Sequence, residues 1–162
     1  MRTAADILQV TLPDNAAEDS VSLLPALLGP DGAPLREAIV HHSINGSFSI
    51  RQGKWKLAFC PGSGGWSSPR PGQHDTSALP LVQLFDLEAD IGETRNLQAE
   101  YPDVVKRLTA LMEKYVRDGR STAGAIQLNN GDVDIWAAGR QAHQPPAAKK
   151  VKKRSEERGQ QR

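Results

Sequence analysis

The stretch of sequence best suited to chemistry is residues 60–64, which read Cys-Pro-Gly-Ser-Gly. The cysteine could act as a nucleophile if a base lay beside it, and the glycines could present backbone N–H groups to a phosphate. A phosphate-binding P-loop ends in Gly-Lys-Ser/Thr, whereas here Gly65 and Trp66 follow Gly64. Four histidines could supply that base, and the sequence does not show how close any of them lies to Cys60. The simpler interpretation is a cysteine at the end of a strand, followed by a flexible glycine-rich loop.

Three carboxylates alternate along the chain at Asp86, Glu88 and Asp90, as they do at the start of a calcium-binding EF-hand loop. Such a loop also needs glycine at its sixth position and glutamate at its twelfth. Those positions hold Ile91 and Leu97 in this chain. We therefore interpret the segment as a solvated acidic connection, and we predict no metal site in the chain.

Two adjacent histidines, His41 and His42, lie in a segment whose pattern predicts a β-strand. Successive side chains of a strand point to opposite faces, so the pair cannot bind one metal ion together in the usual way. One imidazole should face the covered side of the sheet and the other a groove or water. A structural role is the simpler interpretation, with contact to a ligand as the alternative. No Ser/His/Asp set stands out, so the residues alone predict no catalytic site.

The positive charge of the chain is concentrated at its C-terminal end. The net charge is +1, yet residues 149–162 are strongly basic and begin with the run KKVKKR. Such a run could contact nucleic acid or act as a nuclear address, but no aromatic residue accompanies it to stack on bases. We predict a solvated, disordered terminus. A non-enzymatic binding module with a basic nucleic-acid-contacting tail is the alternative function.

Length and composition exclude several classes of protein. With 162 residues, the chain can form one domain plus some loose sequence. Its single cysteine, Cys60, excludes an intramolecular disulfide and a cysteine metal cluster. The first residues lack the charged start and apolar run of a signal peptide, and no stretch is apolar enough to span a bilayer. The sequence therefore leaves the localisation of this chain open, and we predict no membrane association.

Alternation of apolar and polar residues predicts a small antiparallel sheet. A β run at residues 38–44 leads into Asn45 and Gly46, the residue pair most typical of a tight hairpin turn. Residues 48–51 alternate, Gln52 and Gly53 make a second turn, and residues 54–59 alternate again. A long loop rich in glycine, serine and proline follows, and a fourth strand is predicted at residues 81–87.

A helix is predicted from Pro102 to Gly119. Proline suits the first helical position because its missing N–H needs no partner there, and glycine suits the position after the last turn. Apolar residues between them recur at helical spacing and form one stripe, which can cover the apolar face of the sheet. The predicted fold class is therefore α+β: a small four-stranded antiparallel sheet packed against a C-terminal helix, with an irregular N-terminal segment and a disordered basic tail.

The order of these segments resembles the C-terminal subdomain of formylglycine-dependent sulfatases of the arylsulfatase family. The similarity is carried by residues 36–43, REAIVHHS, and by residues 48–57, FSIRQGKWKL. Residues 90–97, DIGETRNL, are similar to the family's Asp-Pro-x-Glu-x-x-Asn-Leu ending, with Ile91 in place of the proline. Residues 12–28 resemble the stretch that closes the family's large α/β domain, so the resemblance covers roughly residues 3–120.

The resemblance implies three parts: residues 1–35 as the end of the large sulfatase domain, residues 36–120 as the C-terminal subdomain, and residues 121–162 as a low-order extension with the basic tail. The family hydrolyses sulfate esters with a bound calcium ion and a formylglycine made from a cysteine in Cys-x-Pro-x-Arg or a similar motif. Cys60 does not match, because proline comes one place early and Gly64 replaces the arginine. We assign no catalytic or metal-binding residue and expect this chain alone to be inactive.

The implied partner is the N-terminal sulfatase domain, in the same protein or in a separately encoded catalytic chain. Apolar surface should be exposed where that domain packs, at Ile7, Leu8, Leu24 and Leu28. A sulfated substrate is expected only for the intact enzyme, which would be periplasmic or extracellular. Because the family's C-terminal subdomain borders the substrate cleft, His41, His42 and the loop at residues 60–80 are candidates for substrate contact.

Overall fold

A computed structural model describes residues 1–29, 32–70 and 73–142 of the chain. The basic tail at residues 149–162, predicted to be disordered, lies outside the described residues. Eight elements follow one another along the chain. They are α1 (Arg2–Ile7), α2 (Leu24–Leu28), β1 (Ile39–His42), β2 (Phe48–Gln52), β3 (Trp55–Ala58), β4 (Gln83–Asp86), α3 (Pro102–Asp118) and α4 (Ala137–Ala142).

The four strands form one antiparallel sheet in the order β1-β2-β3-β4, as the alternation of residues predicts. Both tight turns depend on glycine with a positive φ: +84° at Gly46 and +56° at Gly53. In the first turn, the amide of Gly46 donates to the carbonyl of Ser43 at 3.0 Å, and Ser43 N donates to Ser47 O at 2.9 Å. These turns fix the register, and hence which side chains share a face.

One face of the sheet is covered by α3. The register aligns four apolar residues across the strands, and Ile50, Leu57 and Leu84 among them are fully buried. From α3, Leu108, Met112 and Tyr115 pack against this face. Val40 completes the apolar row across the strands. The predicted fold class, a four-stranded antiparallel sheet packed against a helix, is confirmed.

The helix α3 begins and ends as its sequence predicts. Pro102 occupies the first turn, and Asp103 lies there too, near the positive end of the helix dipole. Gly119 follows the last turn with a left-handed backbone, φ +61°. A Cβ at Gly119 would come within 2.2 Å of the carbonyl oxygen of Gln127, so the close return of the chain also requires glycine here.

The chain after Gly119 folds back onto the sheet, although its sequence predicts low order. Ile135 is only 5% exposed and belongs to the core. The Trp136 ring meets Phe59 edge-on, with ring centroids 5.0 Å apart. Gly139 in α4 lies so close to the Phe59 carbonyl that a Cβ would be 2.4 Å from its oxygen. Trp136 and Gly139 thus pack on Phe59, just beyond β3, and local composition does not reveal a contact between residues this far apart in sequence.

The N-terminal segment is irregular, as predicted, and exposes apolar side chains. Ile7, Leu8 and Leu28 are 58%, 71% and 79% exposed, whereas Leu24 is partly buried. The two short helices are joined by a hydrogen bond from Leu23 N to Thr3 Oγ1 at 3.0 Å. The division at residues 35 and 120 stays a prediction. None of the helices in the described ranges has both the length and the apolar composition needed to cross a membrane.

Candidate functional site

The side of the sheet turned away from α3 carries polar and charged residues and forms a cleft. We call it the open face. It consists of two cross-strand rows, Ile39, Arg51, Lys56 and Phe85 in one, and His41, Ser49, Ala58 and Gln83 in the other. All of these except Ile39 line a cleft of about 750 Å³. The cleft is closed on one side by residues 60–69 and on another by residues 91–93.

Cationic side chains give the cleft a positive character. Lys56 and Arg51 lie side by side in one row of the open face. The ammonium of Lys56 is held by Glu93, 2.6 Å from Oε1 and 2.8 Å from Oε2, whereas Arg51 Nε donates to the carbonyl of Gly53 at 3.0 Å. Glu93 reaches Lys56 from a left-handed backbone, φ +54°, which is uncommon for a residue other than glycine. Arg51 therefore keeps donors available for an anion.

His41 shares the open face with these cations. Partial burial lowers the pKa of its imidazole below the ordinary value of 6.5, and the positive charges of Lys56 and Arg51 lower it further. Glu93 acts in the opposite direction but is the weakest of the four influences. At neutral pH the imidazole is therefore neutral and can accept or donate a hydrogen bond.

The two sequence-predicted histidines are separated as the strand geometry requires. His41 lies opposite Ser49 on the open face, and His42 lies opposite Phe48, with the ring centroids of His42 and Phe48 4.6 Å apart. Both side chains are exposed and both border the cleft, His42 at the end of β1. The structure thus brings both candidates to one cleft, and their contact with a substrate stays a prediction.

The glycine-rich loop after β3 is held in place rather than free. Gln83 Nε2 donates to the carbonyls of Cys60 at 2.8 Å and Gly62 at 2.6 Å, which fixes the loop to β4. Ser63 closes the loop on itself, because its amide donates to Pro69 O at 3.0 Å. The sequence indicates flexibility here, but the two hydrogen bonds from Gln83 join residues more than 20 positions apart, and local composition does not reveal them.

Cys60 lies at the base of the cleft and is not arranged as a nucleophile. It is only 3% exposed, and burial raises the pKa of its thiol, an effect that the neighbouring Ser47 side chain offsets only in part. A Cβ added to Gly64 would be 2.6 Å from the sulfur, so the loop packs directly on it. The thiol is therefore protonated and shielded at neutral pH. Neither the surroundings of Cys60 nor its sequence motif fits a formylglycine.

The acidic connection after β4 uses its carboxylates to order its own turns. Asp86 pairs with Lys54 at 2.7 Å and accepts the amides of Glu88 and Ala89, and this ion pair holds the pKa of Asp86 below 3.8. Asp90 accepts the amides at positions 94 and 95, at 2.7 and 2.9 Å. Among the described residues, no group of three or more His, Cys, Asp or Glu could hold a metal ion. This donor set does not fit a calcium ion.

Sequence reasoning missed Arg51, Lys56 and Glu93 as site residues. The signal for the first two was present, because a two-residue turn at Gln52 and Gly53 places Arg51 opposite Lys56, on the same face as His41. Glu93 gave no such signal. It lies in a connection, and only the folded chain brings it to Lys56.

Together these features define the class of protein: a small α+β unit with one face covered by a helix and an open, cationic face that forms a cleft. Comparison with known proteins gives the family. Residues 35–148 match the family model described as the C-terminal region of aryl-sulfatase, and the chain belongs to this family.

Two relatives illustrate the similarity. The chain is 35% identical over 112 residues to an N-acetylgalactosamine-6-O-sulfatase of Bacteroides thetaiotaomicron, with 67% of this chain and 21% of that protein covered. Among solved structures, it is similar to one from work on the metabolism of multiple glycosaminoglycans by Bacteroides thetaiotaomicron. That match has a TM-score of 0.53 and 33% identity, and covers 70% of this chain and 23% of the other. The chain thus spans about a fifth of the length of the curated relative.

Proposed function

We propose that this chain forms one wall of the substrate cleft of a sulfatase that hydrolyses sulfate esters of sugars. Its open face would contact the substrate, and the nucleophile and the metal would come from the N-terminal sulfatase domain, in the same protein or in a partner chain. The observation that carries the proposal is the cationic cleft that holds His41, Arg51 and Lys56, in a chain of the aryl-sulfatase C-terminal family. A sulfated sugar is the substrate class suggested by the relative named as an N-acetylgalactosamine-6-O-sulfatase.

The chemistry of the cleft supports contact with a sulfate ester. Arginine and lysine complement an oxyanion, and Arg51 has guanidinium donors beyond the one that it gives to Gly53. A neutral His41 can donate a hydrogen bond to a sugar oxygen or accept one from a hydroxyl. In this proposal, these side chains bind and orient the substrate, together with His42 at the edge of the cleft.

The same proposal holds that residues 1–142 supply no nucleophile. This is supported by Cys60, which is buried and protonated, whereas a catalytic cysteine needs an accessible thiolate. The exposed apolar side chains of α1 and α2, among them Ile7 and Leu28, suit the packing of the large domain. The periplasmic or extracellular location implied by the family belongs to this proposal as well.

The proposal is tested by NMR on the isotope-labelled chain with two sugars. N-acetylgalactosamine 6-sulfate should shift the amide resonances of residues 41–43, 51 and 56. Unsulfated N-acetylgalactosamine should shift them much less, because the cations contribute only to binding of the sulfate. The variant Arg51→Gln should weaken binding, while Lys106→Gln on the exposed surface of α3 should not.

Two results would contradict the proposal. Shifts confined to residues outside the cleft would show that the open face does not contact sulfated sugars. Release of sulfate from N-acetylgalactosamine 6-sulfate by the purified chain alone would show that a nucleophile lies within it.

A further inference from the structure

An exposed tryptophan lies on the loop that borders the cleft. Trp66 is 69% exposed, whereas Trp55 and Trp136 are partly buried against Tyr101 and Phe59. Burying an indole is strongly favourable, so an indole left in water forgoes that stabilisation. An exposed aromatic residue on a fixed loop next to a cleft is typical of a binding contact.

The loop that carries Trp66 is ordered by its own hydrogen bonds. Ser63 Oγ donates to the carbonyl of Ser67 at 2.7 Å, and the amide of Gly65 donates to Ser63 Oγ at 3.3 Å. A Cβ at Gly62 would be 2.8 Å from the carbonyl oxygen of Pro69, so the two arms of the loop touch. Trp66 is thus presented from a closed loop, and a ligand would not have to order it first.

One face of the indole is already occupied. The Arg70 guanidinium lies over the ring, with Cζ 4.4 Å from its centroid. Because most of the Trp66 surface remains exposed, the opposite face of the ring is free. The cation also places a positive charge beside the ring. A ligand on the free face would therefore meet a flat apolar surface with a cation at its edge.

Trp66 lies next to the cleft in the chain. The residues that follow it, from Ser67 to Pro69, line the same cleft as Arg51 and Lys56. Trp66 immediately precedes this lining, so a ligand that extends from the cations of the open face along Ser67 to Pro69 runs towards the indole.

We propose that Trp66 and Arg70 form a second sugar subsite, in which the indole stacks on the ring of a sugar unit next to the sulfated one. The inference rests on the proposed function. The C–H groups on one side of a pyranose carry partial positive charge and suit the negative face of an indole. Arg70 can pair with an acidic group on the same unit. The substrate class is then an acidic oligosaccharide rather than a sulfated monosaccharide.

The test compares two ligands on the full chain at constant ionic strength. The ligands are N-acetylgalactosamine 6-sulfate and a glycosaminoglycan tetrasaccharide that carries the same 6-sulfated sugar. The indole N–H resonance of Trp66 should move with the tetrasaccharide and stay in place with the monosaccharide. Trp66→Ala should weaken tetrasaccharide binding about five- to tenfold and leave monosaccharide binding unchanged. Tyr101→Ala removes another aromatic ring, one that packs on Trp55 on the α3 side away from the cleft, and should change neither affinity.

The outcomes separate this inference from the proposed function. If the cleft resonances respond but Trp66→Ala binds the tetrasaccharide as tightly as the wild type, the second subsite is wrong and the proposed function stands. If no cleft residue responds to either ligand, both are wrong. If the Trp66 resonance moves with protein concentration and not with sugar, the ring belongs to a contact between copies of the chain, which also overturns the inference.

Discussion

Arg120 and Asp14 join two distant parts of the chain, with Arg120 Nη1 3.1 Å from Asp14 Oδ1. The Arg120 side chain is 2% exposed, while that of Asp14 is 53% exposed. The guanidinium also donates to the carbonyls of Thr122, Ala123 and Ala125, at 3.1, 2.9 and 2.9 Å. One buried arginine therefore holds both the loop after α3 and the irregular segment that precedes the sheet.

Replacing Arg120 should destabilise the chain strongly. Arg120→Met keeps most of the volume but removes all donors, so several partly buried carbonyls lose their partners. We expect a decrease in the free energy of unfolding of about 2–4 kcal/mol, measured by urea denaturation. Asp14→Asn is the matched control, because an ion pair with an exposed carboxylate is screened by solvent and contributes little to stability. Equal effects of the two substitutions would show that the carbonyl contacts contribute nothing.

The thiol of Cys60 should resist labelling in the folded chain. Burial excludes an aromatic disulfide reagent and raises the pKa of the thiol, so both access and thiolate concentration are low. We expect labelling at pH 7.5 to be at least about a hundredfold slower than in 6 M urea, because it requires local opening. Rapid labelling without denaturant would instead indicate an accessible, activated cysteine. Gly64→Ala, which places a methyl group against the sulfur, should open the loop and speed labelling.

The sheet and α3 could be predicted from sequence because their signals are local. The alternation around Leu57, the turn glycine Gly46 and the Pro102 start of the helix each depend on residues a few positions apart. The rest of the architecture depends on contacts between distant residues. Ile135 lies in the core and its neighbour Trp136 packs on Phe59, a residue far away in the sequence, and nothing near Ile135 in the sequence indicates this.

Only part of the candidate site could be predicted, again because the sequence shows local signals and not long-range contacts. His41 and His42 could be proposed because a family resemblance and a strand pattern coincide on them. The partner of Lys56 is Glu93, which is 37 residues away, and the order of the loop depends on Gln83, which is 21 residues beyond Gly62. Such pairs arise from sheet register and chain return, so composition alone cannot identify them.

Shortening the side chain of Leu57, at the centre of the core, should destabilise the fold, whereas shortening an exposed leucine should not. Leu57 is fully buried between Ile50 and Leu84 in the row that faces α3. Leu57→Ala should lower the free energy of unfolding by about 2–5 kcal/mol, through lost apolar burial and the cavity left behind. Leu128, which is 95% exposed, provides a control of identical chemistry, and Leu128→Ala should have almost no effect. Thermal and urea unfolding curves of both variants test this, and similar midpoints would exclude the packing described for the covered face.

The pKa of His41 should report the charges of the open face. Burial and the positive charges of Lys56 and Arg51 lower the pKa of this imidazole, while Glu93 raises it. Lys56→Gln should therefore raise the pKa of His41 towards its ordinary value of 6.5, and Glu93→Gln should lower it further. The titration of the imidazole Cε1–H signal by NMR measures both shifts. Lys106→Gln, on the exposed surface of α3, is the control and should leave the signal unchanged.

The same titration has a consequence for stability whose sign follows from proton linkage. Because the pKa of His41 is lower in the folded chain, the unfolded chain binds the proton more readily, and protonation favours unfolding. The contribution of His41 to the free energy of unfolding should therefore decrease as the pH falls from about 6.5 through the folded-state pKa. His41→Gln removes this contribution, so the stability of the variant should fall less than that of the wild type over the same interval. A wild-type stability that rises as the pH is lowered, with the variant unchanged, would mean that His41 lies in a negative rather than a positive environment, and the cationic cleft would lose its support.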